Sequence, residues 1–340
     1  MLSPATSQLT RGQAEAAMEE ILAGRAGEEA IVSFLGALRE RGVTVEELVG
    51  FATVMRRHAT KIFPQGVPAD WTLVDTCGTG GDARGTFNIS TCAAFVVAGT
   101  GVRVAKHGNR SISSQCGSAD VLEALGVDLH LTPQRVAECI AQIGIGFLFA
   151  PLLHTAVRHA MPARRRLGGR TVFNLLGPLT NPAGAQAQVL GVYDASLTER
   201  AAQALVELGT RRAFVVHGAD GLDEVSLSGE TRVSEVRDGA VRTYTVTPED
   251  FGLPRALLSV LAGGDAQQNA QMIRDVLGGQ AGPRRDVVLA NAAAALVAAG
   301  AAADWCAGVR DAAQSIDSGR AARCLATLAQ GAPSSGAGPA

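Results

Sequence analysis

Lysine is nearly missing from this chain of 340 residues, which holds 28 arginines but only Lys61 and Lys106. With a formal net charge of −2 and a single basic block, Arg164-Arg165-Arg166, the sequence offers no electrostatic footprint for nucleic acid. Six cysteines are scattered without a C-x-x-C pair, which excludes a disulfide framework and reads as reduced, buried small side chains. No histidines recur at metal-ligand spacing, so a zinc site is not expected. The absence of G-x-x-x-x-G-K-[ST] removes support for nucleoside triphosphate hydrolysis. No apolar run reaches the length of a membrane span, and the alanine-rich stretch 287–303 reads as a packed helix. Met1 to Ile21 lacks a basic flank with an apolar core, so no secretory leader and a cytoplasmic location are expected.

What is present is concentrated in two segments. The first, Asp75-Thr76-Cys77-Gly78-Thr79-Gly80-Gly81-Asp82, follows the strand-like run Trp71-Thr72-Leu73-Val74. Its glycines let backbone approach a ligand closely. Asn88-Ile89-Ser90-Thr91 then leads into an apolar stretch, 92–98, that reads as a helix capped by Ser90 or Thr91. A glycine loop, hydroxyl caps and a helix N-terminus make an anion cradle, because unpaired amides point at the ligand. The second segment, Lys106-His107-Gly108-Asn109-Arg110-Ser111-Ile112-Ser113-Ser114, adds cations and hydroxyls at the end of another strand. So many anion-directed groups suggest a polyphosphate. In a chain that has otherwise exchanged lysine for arginine, Lys106 has kept a compact ammonium, which a planar guanidinium does not replace at a crowded phosphate site.

At 340 residues, 47% apolar and 18% charged, the chain suits a soluble globular protein of one large or two small domains. Residues 9–65 carry helical periodicity, and Thr44 with Glu47 forms a capping-box pattern opening a helix at 45–58. Pro64-Gln65-Gly66-Val67-Pro68 breaks the run and marks a boundary. Beyond it strands and helices alternate, which predicts an α/β domain with a central, mostly parallel sheet behind a small N-terminal helical domain. Strands are expected at 73–75, 102–106, 189–192 and 213–217, and helices at 119–125, 133–143, 198–208, 265–277 and 287–299. Residues 232–247 read as a hairpin around Asp238-Gly239. The expected domains are therefore 1–68, completed by about 164–182 where the alternation stops, and 69–330. A disordered tail is expected at 331–340.

A third constellation, His217-Gly218-Ala219-Asp220-Gly221-Leu222-Asp223-Glu224, follows a strand. Open α/β sheets bind ligands outside strand ends of this kind. An isolated Asp-Glu pair is usually a solvated turn. Beside a polyphosphate cradle, Asp223 and Glu224 are hard oxygen ligands suited to Mg²⁺. His217 reads as structural.

With these segments the sequence closely resembles the anthranilate phosphoribosyltransferases of tryptophan biosynthesis, over about residues 9–328. The carrying motifs are Gly-Thr-Gly-Gly-Asp at 78–82, Asn-Ile-Ser-Thr at 88–91 and Lys-His-Gly-Asn-Arg-Ser-x-Ser-Ser at 106–114. Phe-Asn-Leu-Leu-Gly-Pro-Leu-Thr-Asn-Pro at 173–182 and Gly-Leu-Asp-Glu at 221–224 complete them. The Lys-His-Gly-Asn-Arg motif is shared with the pyrimidine nucleoside phosphorylases of the same superfamily; the motif at 173–182 with an upstream arginine points to the anthranilate enzymes. The resemblance implies transfer of a 5-phosphoribosyl group from phosphoribosyl pyrophosphate to the amine of anthranilate, two Mg²⁺ ions and a homodimer.

Residue by residue, the resemblance assigns Gly78, Gly81, Asp82, Thr86, Asn88, Ile89, Ser90 and Thr91 to phosphoribosyl pyrophosphate. Lys106, His107, Gly108, Asn109, Arg110, Ser111, Ile112, Ser113, Ser114 and Ser118 join them. Ser90 and Glu224 would hold one Mg²⁺, and Asp223 with Glu224 a second. Anthranilate would be met by Asn109, Arg164 and Gly78, with His107 and His154 as further contacts. No residue stands out as a general base. Three departures from the family pattern occur. The register of Arg164 rests on Leu167-Gly168, leaving Arg165 as its rival. Thr155 replaces the usual proline after His154, and Gln115-Cys116 interrupts a Ser-Ser-Lys pattern. The rival readings are a pyrimidine nucleoside phosphorylase, whose glycine loop carries an insertion missing here, and a non-catalytic nucleic-acid-binding paralogue, which the net charge disfavours.

Overall fold

A computed structural model describes residues 2–111 and 115–331. Three helices open the chain: α1 (Arg11–Leu22), α2 (Glu28–Arg41) and α3 (Val45–His58). Thr10 and Thr44 each close a capping box, with Gln13 and with Glu47. Strand β1 (Leu73–Gly78) follows, then α4 (Ile89–Gly99), β2 (Arg103–Gly108), α5 (Ser118–Ala124), α6 (Pro133–Ile143) and β3 (Ile145–Phe149). Next come α7 (Ala150–Leu153), α8 (Met161–Leu167) and α9 (Val172–Leu176) before β4 (Ala187–Gly191), α10 (Leu197–Glu207) and β5 (Arg212–Gly218). Strands β6 (Thr231–Arg237) and β7 (Ala240–Val246) precede α11 (Ala266–Leu277), α12 (Pro283–Ala298), α13 (Trp305–Asp317) and α14 (Arg320–Ala329).

The sheet runs β3-β2-β1-β4-β5-β6-β7, parallel through its first five strands and antiparallel across the last two pairs. The hairpin β6–β7 turns at Asp238 and Gly239, both at positive φ (52° and 75°), as a tight two-residue turn requires. Strand β3 is absent from the sequence reading; five apolar residues directly behind α6 carry no alternation to mark them. One face of the sheet packs against α4, α11, α12, α13 and α14 in a single apolar core. The other faces α10, α3, α1, α2, α8 and α9, whose core takes in Leu190, Val192, Ala213 and Val215 from the strands. Within that second core, α8 lies on α2 and α9 on α3.

One expectation is corrected. Helix α4 starts at Ile89 with Asn88 in the cap position, not at Ser90 or Thr91, because the Asn88 carbonyl already accepts the Cys92 N–H at 3.0 Å. The Asn88 side chain does not cap; it donates to the Cys116 carbonyl and accepts from Asn269. The stripe Ile31, Phe34, Leu35 and Leu38 is at most 1% exposed within the chain itself. Residues 160–179 supply the missing apolar surface. The segment 332–340 lies outside the described residues.

Candidate active site

The chain leaves β1 on one side for β2 and returns on the other for β4, so the sheet reverses its winding between β1 and β4. Ligands of open α/β sheets bind at such switch points. Gly78 and Gly191 end these strands opposite each other, and Asp223 lies across them. A Cβ on Gly191 would sit 1.5 Å from the Asp223 carbonyl oxygen, and one on Gly78 would sit 2.7 Å from its carboxylate Oδ2. Only glycine admits the acidic turn here. The Gly80 N–H donates to Asp223 Oδ2 at 3.0 Å, which ties the glycine loop to the turn.

Glu224 accepts the Ser90 N–H at 3.1 Å, at the positive end of α4. Both carboxyls are held above the ordinary carboxylate range: burial is the main cause for each, helped by Asp82 for Asp223 and by Asp223 for Glu224. Lys106 opposes this for Glu224. It is a strand residue, 2% exposed, whose Nζ donates to the Thr76 carbonyl and lies 3.4 Å from Ser90 Oγ. Burial lowers its basicity, while Asp75, Cys77 and Glu224 support its charge. Crowded carboxyls that resist ionisation are a donor set a divalent cation would relieve. Among the described residues no cluster of three or more metal-type side chains forms; Mg²⁺ takes one or two protein carboxylates together with phosphate oxygens.

The other expected contacts divide. Gly81 and Asp82 lie in the loop, where Asp82 Oδ1 accepts the Arg84 N–H. Thr86 is held by a bridge to Ala262. Ile89 and Thr91 point into the core at 1% exposure, so only their backbone can face a ligand. Gly108 and Asn109 lead out of β2; the Asn109 carbonyl accepts from Ala119 N–H and Ser118 Oγ, and its side chain accepts the Arg110 N–H. Arg110 is already committed, forking onto Glu123 and reaching Asp120, with its guanidinium over Phe149. The Ser111 N–H is taken by Asp120. Ile112, Ser113 and Ser114 lie outside the described residues.

On the acceptor side, His107 and His154 pack with ring centroids 5.1 Å apart, and His107 Nδ1 meets the Gly177 carbonyl at 3.2 Å. Burial pulls the two imidazoles down to about 3 and about 4, and among the described residues neither buried Nε2 atom has a hydrogen-bond partner within ordinary distance. Arg164, in the last turn of α8, is half-buried over the Phe173 ring at 5.1 Å and 3.7 Å from Met161 Sδ. Burial lowers its basicity. Arg166 pairs with Glu29, and Arg165 is exposed. His217 is structural, bonded to the Val192 carbonyl at 2.7 Å.

Several positioning residues escaped the sequence reading. Asp75 is fully buried beneath Lys106, accepting the His107 N–H at 3.1 Å and the Asn181 side chain at 2.8 Å. Asn181 also donates to the Ala105 carbonyl, so the end of the 173–182 motif fastens β1 to β2. Asn269 joins Asn88 to Gly264. Asp75 and Asn181 sit inside quoted motifs, whereas nothing near Asn269 in sequence marks it.

This two-part architecture is that of a glycosyl transferase: the family's helical bundle domain matches residues 5–59 and its α/β domain residues 70–322. Similarity to known proteins narrows the class. The anthranilate phosphoribosyltransferase of Syntrophobacter fumaroxidans is 59% identical over 320 residues, 94% of each chain. The crystal structure of the Thermus thermophilus anthranilate phosphoribosyltransferase is 45% identical, with a TM-score of 0.89 over 96% of both chains. The Saccharomyces cerevisiae enzyme, solved with phosphoribosyl pyrophosphate and Mg and separately with 4-fluoroanthranilate, is 31% and 30% identical in the two comparisons. Its TM-scores are 0.86 and 0.83, over 95% of this chain and 93% of that one. The chain belongs to the anthranilate phosphoribosyltransferase family, a group of pentosyltransferases.

Proposed function

We propose that this protein transfers the 5-phosphoribosyl group of phosphoribosyl pyrophosphate to the anthranilate amine, releasing pyrophosphate, in L-tryptophan biosynthesis. The observation that carries the reading is the meeting of Lys106, Ser90, Asp223 and Glu224 beside the glycine loop, at the switch point of the sheet. Gly78, Gly81, Asp82, Thr86 and the start of α4 bind the donor, with the 106–118 segment beside them. Arg110 serves by shaping that segment through Asp120 and Glu123. Arg164, with Asn109, receives the anthranilate carboxylate. Ser90, Asp223 and Glu224 hold Mg²⁺, two ions in our reading, which when bound neutralises pyrophosphate charge.

Negative charge grows on the leaving pyrophosphate as positive charge grows at the ribose C1. Lys106 and the loop amides stabilise the former from fixed positions. The aromatic amine is neutral and nucleophilic at pH 7, so the chain's task is placement: Arg164 and Asn109 orient anthranilate toward C1. The histidine pair lines this approach, and burial holds both imidazoles toward their neutral form.

Loss of anthranilate fluorescence with phosphoribosyl pyrophosphate and Mg²⁺ tests the reading; no turnover would sink it. Asp223→Asn with Glu224→Gln should weaken activity greatly and shift its Mg²⁺ dependence. The relatives support this transferase reading, not the nucleoside phosphorylase or nucleic-acid alternatives. We also read residues 1–68 with 164–182 as one helical domain, supported by the packing of α8 on α2 and α9 on α3. Residues 69–330 are then the donor-binding domain. A cytoplasmic homodimer fits a biosynthetic enzyme of this family. A scattering mass near the 34.9 kDa of one chain would count against the dimer.

A further inference from the structure

Arg170 belongs to none of the assigned binding motifs, yet it is the side chain that joins the two substrate regions. Gly168 and Gly169, both at positive φ (59° and 66°), reverse the chain after α8 and turn it toward the sheet. The Arg170 guanidinium then stacks over the Tyr193 ring, 4.2 Å from its centroid, and its Nη2 donates to the Gly81 carbonyl. The fit is close: a Cβ on Gly81 would come within 3.0 Å of Arg170 Nε. Tyr193 is itself anchored, its N–H donating to Thr79 Oγ1 at 3.1 Å. One side chain therefore grips the glycine loop and the exit of β4 from the same short segment that follows Arg164.

The loop needs such a grip. Gly80, Gly81 and Ala83 all have positive φ (63°, 75° and 58°), a sequence of left-handed residues that an unrestrained chain rarely holds. The direct contacts of Arg170 are a carbonyl and a ring, and Asp194, next along the chain from Tyr193, lies close enough to feel its charge.

We propose that Arg170 is a positioning residue: clamped on Tyr193, it holds the Gly78–Asp82 loop in its donor-binding shape and links that shape to the helix bearing Arg164. This rests on the transferase reading above. Without the clamp the loop samples more conformations, and donor binding must order it. The loss should therefore fall on the donor.

Arg170→Ala, Arg170→Lys, Tyr193→Leu and the Ala/Leu double variant test this by steady-state kinetics and melting. Arg170→Ala should raise KM for phosphoribosyl pyrophosphate about tenfold, roughly the loss of one stack and one hydrogen bond. KM for anthranilate at saturating donor, and Tm, should stay close to wild type. Lysine should not rescue, since it lacks the planar fork. Tyr193→Leu should reproduce the defect, and the double variant should be little worse than either single one. An unchanged donor KM in Arg170→Ala, additive effects in the double variant, or equal losses toward both substrates with a lower Tm would each overturn the proposal. Amide hydrogen exchange across residues 79–85 gives a readout that needs no turnover. Faster exchange in Arg170→Ala supports the clamp and unchanged exchange refutes it, even if wild-type protein proves inactive and the transferase reading falls instead.

Discussion

Arg164→Ala is the substitution whose consequence the structure defines most sharply. The guanidinium sits half-buried over Phe173 at 5.1 Å, with Met161 Sδ its other neighbour, and no carboxylate among the described residues pairs with it. Burial already works against its charge, so a bound carboxylate meets a cation that water solvates poorly. A charge-assisted, forked contact of this kind contributes about 1.5–3 kcal/mol. At about 1.4 kcal/mol per decade, its loss should lower kcat/KM for anthranilate on the order of tenfold to a hundredfold. Measured by anthranilate fluorescence, the defect should fall on anthranilate KM and leave donor KM nearly unchanged. Arg164→Lys should recover part of it, keeping charge without the fork. Arg165→Ala should be nearly silent, because that side chain is exposed. An unchanged anthranilate KM in Arg164→Ala would refute the assignment, and the same phenotype in Arg165→Ala would move it one residue along the helix.

Gly191→Ala should abolish turnover while the protein still folds, since the new methyl group would sit 1.5 Å from the Asp223 carbonyl and must push the acidic turn away; activity above about a tenth of wild type would contradict the steric argument. Glu47, fully buried, accepts from Leu9 N–H, Thr44 N–H and two Arg41 nitrogens. Glu47→Gln should cost about 3 kcal/mol at pH 7. Burial alone would raise its carboxyl, but Arg41 and the backbone donors hold it below the ordinary range. The stabilisation is therefore complete above pH ~4.3 and lost as pH falls through the lower folded-state value. Melting of the two proteins should converge at acid pH, and a constant gap would refute the pairing. His107 and His154, held to about 3 and about 4 by burial, bind protons more weakly folded than unfolded. Stability should decline as pH falls below ~6.5 toward those values. Imidazole NMR signals with midpoints near 6.5 in the folded protein would contradict this.

The local devices were legible along the chain because each depends only on near neighbours. The Thr44–Glu47 capping box, the Asp238-Gly239 turn and the glycine loop behind an apolar strand each state their geometry within a few residues. The motif spacing was enough to name the family. What needed tertiary structure was the fate of each polar side chain, since competing partners arrive from distant segments. Arg110 reads as a phosphate ligand until Asp120 and Glu123 are seen to hold it. Asn88 reads as a donor contact, yet its side chain is held from afar, its Oδ1 accepting from Asn269, 181 residues away. Strand β3 is invisible until α6 delivers it to the sheet edge. Arg170 has no meaning in sequence at all; only the reversal at Gly168 and Gly169 brings it to Gly81 and Tyr193. Sequence determines which local geometries the backbone favours and which chemistry is on hand. Long-range contact decides which donor meets which acceptor, because hydrogen bonds and ion pairs act over a few ångströms whatever the separation along the chain.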